Sequence, residues 1–197
     1  ENVDISAMEY LENKIKVFPP SRALEVCQDR LLEKNLFRKL NINVTKYKEI
    51  KNISDLKNYC QGNESRYLLK SRRFGYDGKN QLICDSNIDL LEKLLSECSC
   101  IIEEIVDFST EVSLVCARQD DNNIVFYPLI ENFHKNGILK YSKFPYINKK
   151  LQDTAEKYGK ELLNYFKYVG VLVIEFFVSK DGKLVANEMA PRVHNSG

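Results

Sequence analysis

The sequence predicts an α+β fold, with a small α/β unit followed by a larger antiparallel-sheet unit and a helical lead-in. Three observations carry this. Apolar residues recur at helical spacing through SRALEVCQDRLLEKNLFRKL near the start. Short strand-like and helix-like stretches then alternate between residues 43 and 106. From Glu111 the texture changes to successive strands separated by DDNN and KNG turns, the pattern of an antiparallel meander.

DISAMEYLENK (4–14) reads as a short helix, and Pro19-Pro20 close the connection after it. Ser21 is a good N-cap for a single long second helix. VTKYKEI (44–50) is strand-like, residues 54–60 form a helix, and RYLLK (66–70) is a strand running into the loop RRFGYDGKNQ. QLIC is a strand, SNIDLLEKLLSEC (86–98) a helix capped by Ser86, and CIIEEIV (100–106) a strand. EVSLVCARQ, NIVFYPLIENFH and GILKYSKF follow as strands. A long helix from Lys149 to Tyr168 precedes VGVLVIEFFV and KLVANEMA, joined by SKDG. The expected organisation is a lead-in over 1–42, a small unit with a glycine loop over 43–106, and a large unit over 107–197.

A length of 197 residues fits one domain or two small subdomains. The net charge of +1 gives no broad basic field of the kind that draws a protein to nucleic acid, so any cationic site is local. The six cysteines lack zinc-ribbon spacing and only two histidines accompany them, which favours reduced thiols in a cytoplasmic protein over a disulfide or zinc scaffold. There is no run of about 18 apolar residues and no signal peptide, so no membrane partner is expected. The chain opens at Glu1 without an initiator Met and stops straight after a dense polar segment, so it reads as a piece of something longer.

Two acidic residues sit where like charges are costly. Glu175 interrupts VLVIEFFV and Glu188 lies in LVANEMAP. A tight two-residue turn at Asp181-Gly182 would set Glu175 directly opposite Glu188. A four-residue loop would set Glu188 opposite Val173, one pair along on the same face. Such neighbours destabilise a hairpin unless a cation bridges them, and Mg²⁺ is the natural candidate because it takes carboxylate oxygens together with phosphates. Neutralisation by nearby Lys or Arg, or a bulge that separates the two, are the alternatives.

The loop after RYLLK concentrates two of the chain's eight glycines, Gly75 and Gly78, with Arg72, Arg73 and Lys79. Glycine lets backbone N–H groups approach an anion, and Lys70 at the end of the strand suits phosphate. Neither a P-loop nor GxGxxG is present, and a solvated hairpin is the plainer alternative. Taken with the distant glutamates, the loop suggests a nucleotide held between the two units, its phosphates under the loop and Mg²⁺ on the glutamates.

This order of parts resembles the ATP-grasp superfamily. ALEVCQDRLLEKNLFRKL, LLKSRRFGYDGKNQ, IIEEIVDFSTEVSLVCARQ, YPLIENFHKNGIL and NEMAPRVHNSG narrow it. In order and spacing they are similar to the 5-(carboxyamino)imidazole ribonucleotide synthases (PurK type, the ATPase subunit of bacterial phosphoribosylaminoimidazole carboxylase). The likeness spans nearly the whole chain and covers the central part of such an enzyme, without its N- and C-terminal domains. It implies an ATP-grasp ligase that carboxylates aminoimidazole ribonucleotide with bicarbonate in purine biosynthesis, acting as a homodimer at full length. By that resemblance, Arg30 and Lys70 contact ATP phosphates, and Gly75, Tyr76, Asp77, Gly78, Lys79, Asn80 and Gln81 form a flap. Glu103, Glu104, Ile105 and Val106 frame adenine through backbone hydrogen bonds, Glu111 binds the ribose hydroxyls and His134 lies near the nucleotide. Glu175 and Glu188 hold one or two Mg²⁺ ions, with Asn187 beside them. Tyr76 and Lys79 reach the ribonucleotide, while Arg192, His194 and Asn195 line the bicarbonate and aminoimidazole site. Glu1 is a trace of a substrate contact from the first domain. The family usually has glycine where Phe74 and Asn80 stand; Phe74 stiffens the flap, and Asn80 is a mild change because Asn tolerates left-handed backbone.

The implied reaction needs no protein nucleophile: positioning and charge neutralisation by Mg²⁺, Lys70 and the flap carry it. Plainer readings stand beside these. Arg30 could pair with Glu33 on its own helix, Lys34 reads as solvated and without function, and Glu103 and Glu104 read as one solvent-facing and one salt-bridged residue. His134 reads as a structural strand histidine. Another ATP-grasp ligase would keep Lys70, Glu175 and Glu188 but not need Tyr76 or the HNSG end; a nucleotide-binding module without turnover is the reading from a different class.

Overall fold

A computed structural model describes residues 3–61, 65–75, 80–85, 87–119, 123–135 and 137–196. Glu1, Tyr76, Asp77, Gly78, Lys79, Ser86 and Gly197, each used in the sequence reading, lie outside the described residues.

The lead-in begins with α1 (Ile5–Glu12). The long helix expected next is two helices, α2 (Ser21–Cys27) and α3 (Arg30–Lys39). Asp29 breaks it. Its backbone is extended, and its carboxylate accepts from the amides of Leu31 (3.0 Å) and Leu32 (3.4 Å), so it caps α3 instead of continuing α2. Ser21 does not cap α2, because its amide and hydroxyl both go to the Glu12 carboxylate.

The small sheet has four antiparallel strands in the order β1-β4-β2-β3: β1 (Tyr47–Ile50), β2 (Tyr67–Ser71), β3 (Gln81–Ile83) and β4 (Cys100–Glu104). The strand expected from residue 44 starts later; Val44 instead bridges to Ala186 of the large unit. One face is closed by α4 (Ile53–Cys60) and α5 (Ile88–Glu97), whose Leu56, Leu91 and Leu94 pack against Ile50, Leu69 and Ile102. Asn87, not Ser86, caps α5 by accepting from the Asp89 amide. Strand alternation turns Tyr67, Leu69 and Ser71 inward and leaves Leu68 and Lys70 on the face opposite the helices.

The large sheet runs β10-β9-β5-β7-β8, with β6 also on β5: β5 (Phe108–Arg118), β6 (Ile124–Phe126), β7 (Ile130–Lys135), β8 (Ile138–Lys143), β9 (Gly170–Ser179) and β10 (Leu184–Ala190). NIVFYPLIENFH is therefore two strands. Pro128 lacks the N–H that a continuous ladder needs, and the chain steps along β5 there. α6 (Lys149–Phe166) is closed by Lys167, which takes left-handed backbone at φ 49°, so the helix stops two residues short of the expected Tyr168. It lays Leu151, Ala155, Leu162 and Leu163 on the apolar face formed by Val112, Leu114, Ile174 and Phe176. Gly159 permits this approach, since a Cβ there would meet Leu114 and Phe126 at 3.1 Å. Ala23, Val26, Leu36 and Phe37 from α2 and α3 join the same core, so the lead-in packs as part of the large unit. No described helix is long and apolar enough to cross a membrane.

Candidate functional site

Next to its turn the β9–β10 hairpin adopts neither expected register, but from Glu188 onward it takes the one expected of a two-residue turn. Residues 180–182 form the loop, Gly182 takes φ +72°, and Leu184 pairs with Val178. Continued without interruption, that register would set Glu188 opposite Ile174, which is fully buried in the core. A β-bulge intervenes between Ala186 and Glu188, after which Glu188 stands directly opposite Glu175. A bulge was the feature that could have separated the two acids; here it unites them. It also lets Ala186 stay in the core while Asn187, which hydrogen-bonds to Glu175, and Glu188 serve the other face. Burial, then the neighbouring charges of Glu188 and Glu111, push the Glu175 carboxyl up to about 8.

Across the cleft, Lys70 on β2 donates to Glu103 Oε2 at 3.0 Å, and the Nζ of Lys34 lies 3.4 Å from the same oxygen. Burial alone would raise the Glu103 carboxyl, but Lys34 first and Lys70 next outweigh it and hold it at about 2. Lys34 is not solvated: it is 1% exposed. Nor does Glu103 face solvent. Both glutamates are salt-bridged, since Glu104 pairs with Lys46 at 3.2 Å. Glu103 Oε1 is buried without a hydrogen-bond partner among the described residues, an acceptor open to an incoming donor. Arg30 does not pair with Glu33; it donates to the carbonyls of Ser71 and Gly75, both at 2.9 Å. Asp29 anchors the loop base through Arg72 (2.7 Å) and Arg73 (3.3 Å), so two of the loop's three cations are structural. Burial raises the Asp29 carboxyl, but Arg72 and the helix amides bring it below the usual range.

Between these walls lies a cavity of about 650 Å³. Arg30, Lys70, Gly75 and Gln81 line its cationic side, and Glu175, Asn187 and Glu188 the acidic side. Glu103, Glu104, Ile105 and Val106 form an end wall with Leu68 and Ile83. The amides of Glu104 and Ile105 already donate to the carbonyls of Lys46 and Arg66, so a backbone donor from this stretch to a base would have to be Val106. Glu111 and His134 line the cavity together, His134 Nδ1 lying 2.7 Å from Glu111 Oε2. Asn80 is exposed and does not line it; its carbonyl accepts from the Ser71 amide. A second hollow of about 280 Å³ shares Glu175, Glu188, His194 and Asn195 with the first and adds Arg192 and Phe74. Phe74 and Asn80 both have positive φ, +60° and +56°, the physical reason why glycine suits those positions.

His194 is held by a buried polar chain that sequence reasoning largely missed. Its Nε2 lies 3.1 Å from Glu175 Oε1, while Nδ1 accepts from the Ser196 amide, which sets the ring proton on Nε2. Ser113 Oγ donates to Ser196 Oγ and itself accepts from Asn132 Nδ2. Only the strand alternation that sets Ser113 on the face of Glu111, opposite the apolar Val112 and Leu114, signals this chain in the sequence.

Among the described residues no cluster of three or more His, Cys, Asp or Glu side chains could hold a metal ion alone. Glu175 and Glu188 nevertheless fit one: two facing carboxylates, one of them resisting ionisation, supply a bidentate acidic edge to a hard cation that takes its other oxygens from a phosphate. The cationic wall opposite fits that same phosphate.

Two antiparallel sheets closing on such a cleft define the class of protein. An ATP-grasp domain model matches residues 35–197, and the chain belongs to the ATP-grasp family. Among curated relatives it is similar to N5-carboxyaminoimidazole ribonucleotide synthase of Brucella melitensis, 39% identical over all of this chain and 56% of that one. The enzyme of the same name from Pseudomonas aeruginosa is 39% identical over all of this chain and 55% of that one. A solved ADP complex of purK, N5-carboxyaminoimidazole ribonucleotide synthetase, superposes with TM-score 0.92 at 34% identity, covering all of this chain and 53% of that one. The Thermus thermophilus synthetase does so at 0.90 and 39%, covering 54% of its chain. The chain spans about half the length of the curated relatives it matches.

Proposed function

We propose that this chain is the ATP- and metal-binding core of an N5-carboxyaminoimidazole ribonucleotide synthase. The observation that carries it is the single cavity with Arg30 and Lys70 on one wall and the bulge-aligned Glu175 and Glu188 on the other. Arg30 and Lys70 take the phosphates of ATP, with the loop from Gly75 to Gln81 folding over them. The apolar end wall of Leu68, Ile83, Ile105 and Val106 receives adenine, and Glu111, fixed by His134, takes the ribose hydroxyls. Glu175 and Glu188 hold Mg²⁺, which when bound offsets charge developing on the transferring phosphate. Arg192, His194 and Asn195, bordering the second hollow, receive bicarbonate and the aminoimidazole. A bicarbonate oxygen attacks the γ-phosphorus as ADP leaves; the exocyclic amine then attacks the carboxyl carbon of carboxyphosphate, and phosphate and a proton depart. Closure of the loop keeps water from the carboxyphosphate.

The test is ADP release by the full-length protein. Release that requires both bicarbonate and aminoimidazole ribonucleotide is expected. Release driven by another acceptor would make it a different ligase, and MgATP binding without turnover would leave only a nucleotide-binding module. Gly75→Ala offers a finer check. A Cβ at Gly75 would fall 2.5 Å from Arg30 Nη1, which must swing away. We expect the KM for ATP to rise about ten-fold, the scale of one lost charge-assisted contact, with little change in kcat.

A further inference from the structure

Beyond Ala186, β10 is the edge of its sheet, yet that edge is not left to solvent. Upstream, the segment at Asn43 covers it: the Ala186 amide donates to the Asn43 carbonyl at 2.8 Å, and Asn43 Nδ2 donates to the Leu184 carbonyl at 2.9 Å. Downstream, where Glu188 emerges, two consecutive side chains of α3 replace the missing strand. Lys34 Nζ donates to the Asn187 carbonyl at 2.8 Å and reaches the Ala186 carbonyl at 3.5 Å. On the far side of Glu188, the Met189 amide donates to Glu33 Oε1 at 2.7 Å. Both side chains are almost wholly buried, Lys34 at 1% and Glu33 at 2% exposure.

We propose that Glu33 and Lys34 are positioning residues that hold the bulge at Asn187 and so keep Glu188 aligned with Glu175; this rests on the reading of that pair as the metal–nucleotide site. A bulge leaves ladder groups without strand partners, and a buried carbonyl or amide left so costs as much as a lost hydrogen bond. Lys34 supplies the donor and Glu33 the acceptor at the positions flanking Glu188, which makes the bulged register the satisfied one. Relaxing to the unbulged register would carry Glu188 toward the buried Ile174. Lys34 thus serves two groups at once, the Glu103 carboxylate that it shares with Lys70 and the carbonyl at the bulge. Keeping an acid and an amine side chain buried costs desolvation free energy, which their hydrogen bonds at the bulge offset.

The test compares Lys34→Met and Glu33→Leu with Glu188→Gln in the full-length protein. Mn²⁺ binding is followed by electron paramagnetic resonance with a non-hydrolysable ATP analogue present, and metal-free binding of a fluorescent ATP analogue is measured in chelator. In both α3 variants we expect the Mn²⁺ dissociation constant to rise roughly ten-fold or more, the scale of lost outer-shell support, while metal-free nucleotide affinity changes less than about three-fold. Glu33→Gln, which keeps an acceptor oxygen for the Met189 amide, should restore the metal response that Glu33→Leu loses. Wild-type Mn²⁺ affinity in both α3 variants, with affinity lost in Glu188→Gln, would overturn the positioning role and leave the metal reading standing. Unchanged affinity in Glu188→Gln would sink both. Should Lys34→Met fail to fold, the Glu33→Leu and Glu33→Gln pair decides by the same measurement.

Discussion

Glu188→Gln is expected to lower ATP turnover by about 10³-fold, roughly 4 kcal/mol of lost transition-state stabilisation, without lowering thermal stability. The amide keeps the size and reach of the side chain but removes the charge that, on the proposed reading, faces Mg²⁺ and the transferring phosphate. In the absence of ligand the same charge is a liability, because after burial it is the chief influence pushing the Glu175 carboxyl upward. Removing it relieves that repulsion, so the melting temperature should hold or rise while activity collapses, the trade-off expected of a site that stores strain for function. Steady-state ADP release and a thermal melt on the same preparation check this. A variant that keeps turnover, or loses stability in step with it, would contradict the assignment.

Glu103→Gln should act in the opposite sense, on folding before catalysis. Its carboxylate is the shared partner of two ammonium groups, Lys34 and Lys70. Without it, two neighbouring cations, one fully buried, face a neutral amide, and the cost is roughly 3 kcal/mol. The pH dependence follows from the carboxyl being held at about 2 when folded, against an ordinary 4.5. For an acid lowered on folding, the stabilisation is complete above the unfolded value and fades as pH falls from 4.5 toward 2. Urea midpoints should therefore separate wild type from variant at pH 7 and converge toward pH 3. Adding Lys34→Met to Glu103→Gln should recover part of the loss, since the stranded buried charge goes with it. A constant gap across that range would refute the electrostatic account.

The strands and helices were largely legible because alternation in RYLLK and 3.6-residue spacing in α5 and α6 leave little ambiguity. What periodicity could not show was competition for backbone groups. Asp29 interrupts an otherwise continuous helical pattern only because Arg72 from another element fixes its carboxylate. The hairpin turn misled for a similar reason: Asp181-Gly182 fits a two-residue turn, but Gly182 serves as the left-handed residue of a three-residue loop, and the bulge then corrects the register. That correction is written in α3, far from the hairpin in sequence. Lys34 read as solvated because its helix alone offers no cover; β4 and β10 close over it only in the assembled fold. Likewise Ser113 and Asn132 carry no motif, and their value to His194 comes from side chains meeting across strands.

The ammonium of Lys34 touches a carboxylate of one sheet and a carbonyl of the other, so α3 works as a keystone between two halves that share no strand. Its consequence falls on recombination. A chimera that exchanged the small sheet as a module would inherit a cation cut to fit someone else's acid, and the mismatch would surface at the hairpin, not at the splice. Within such a lineage, α3, β4 and β10 can drift only in concert.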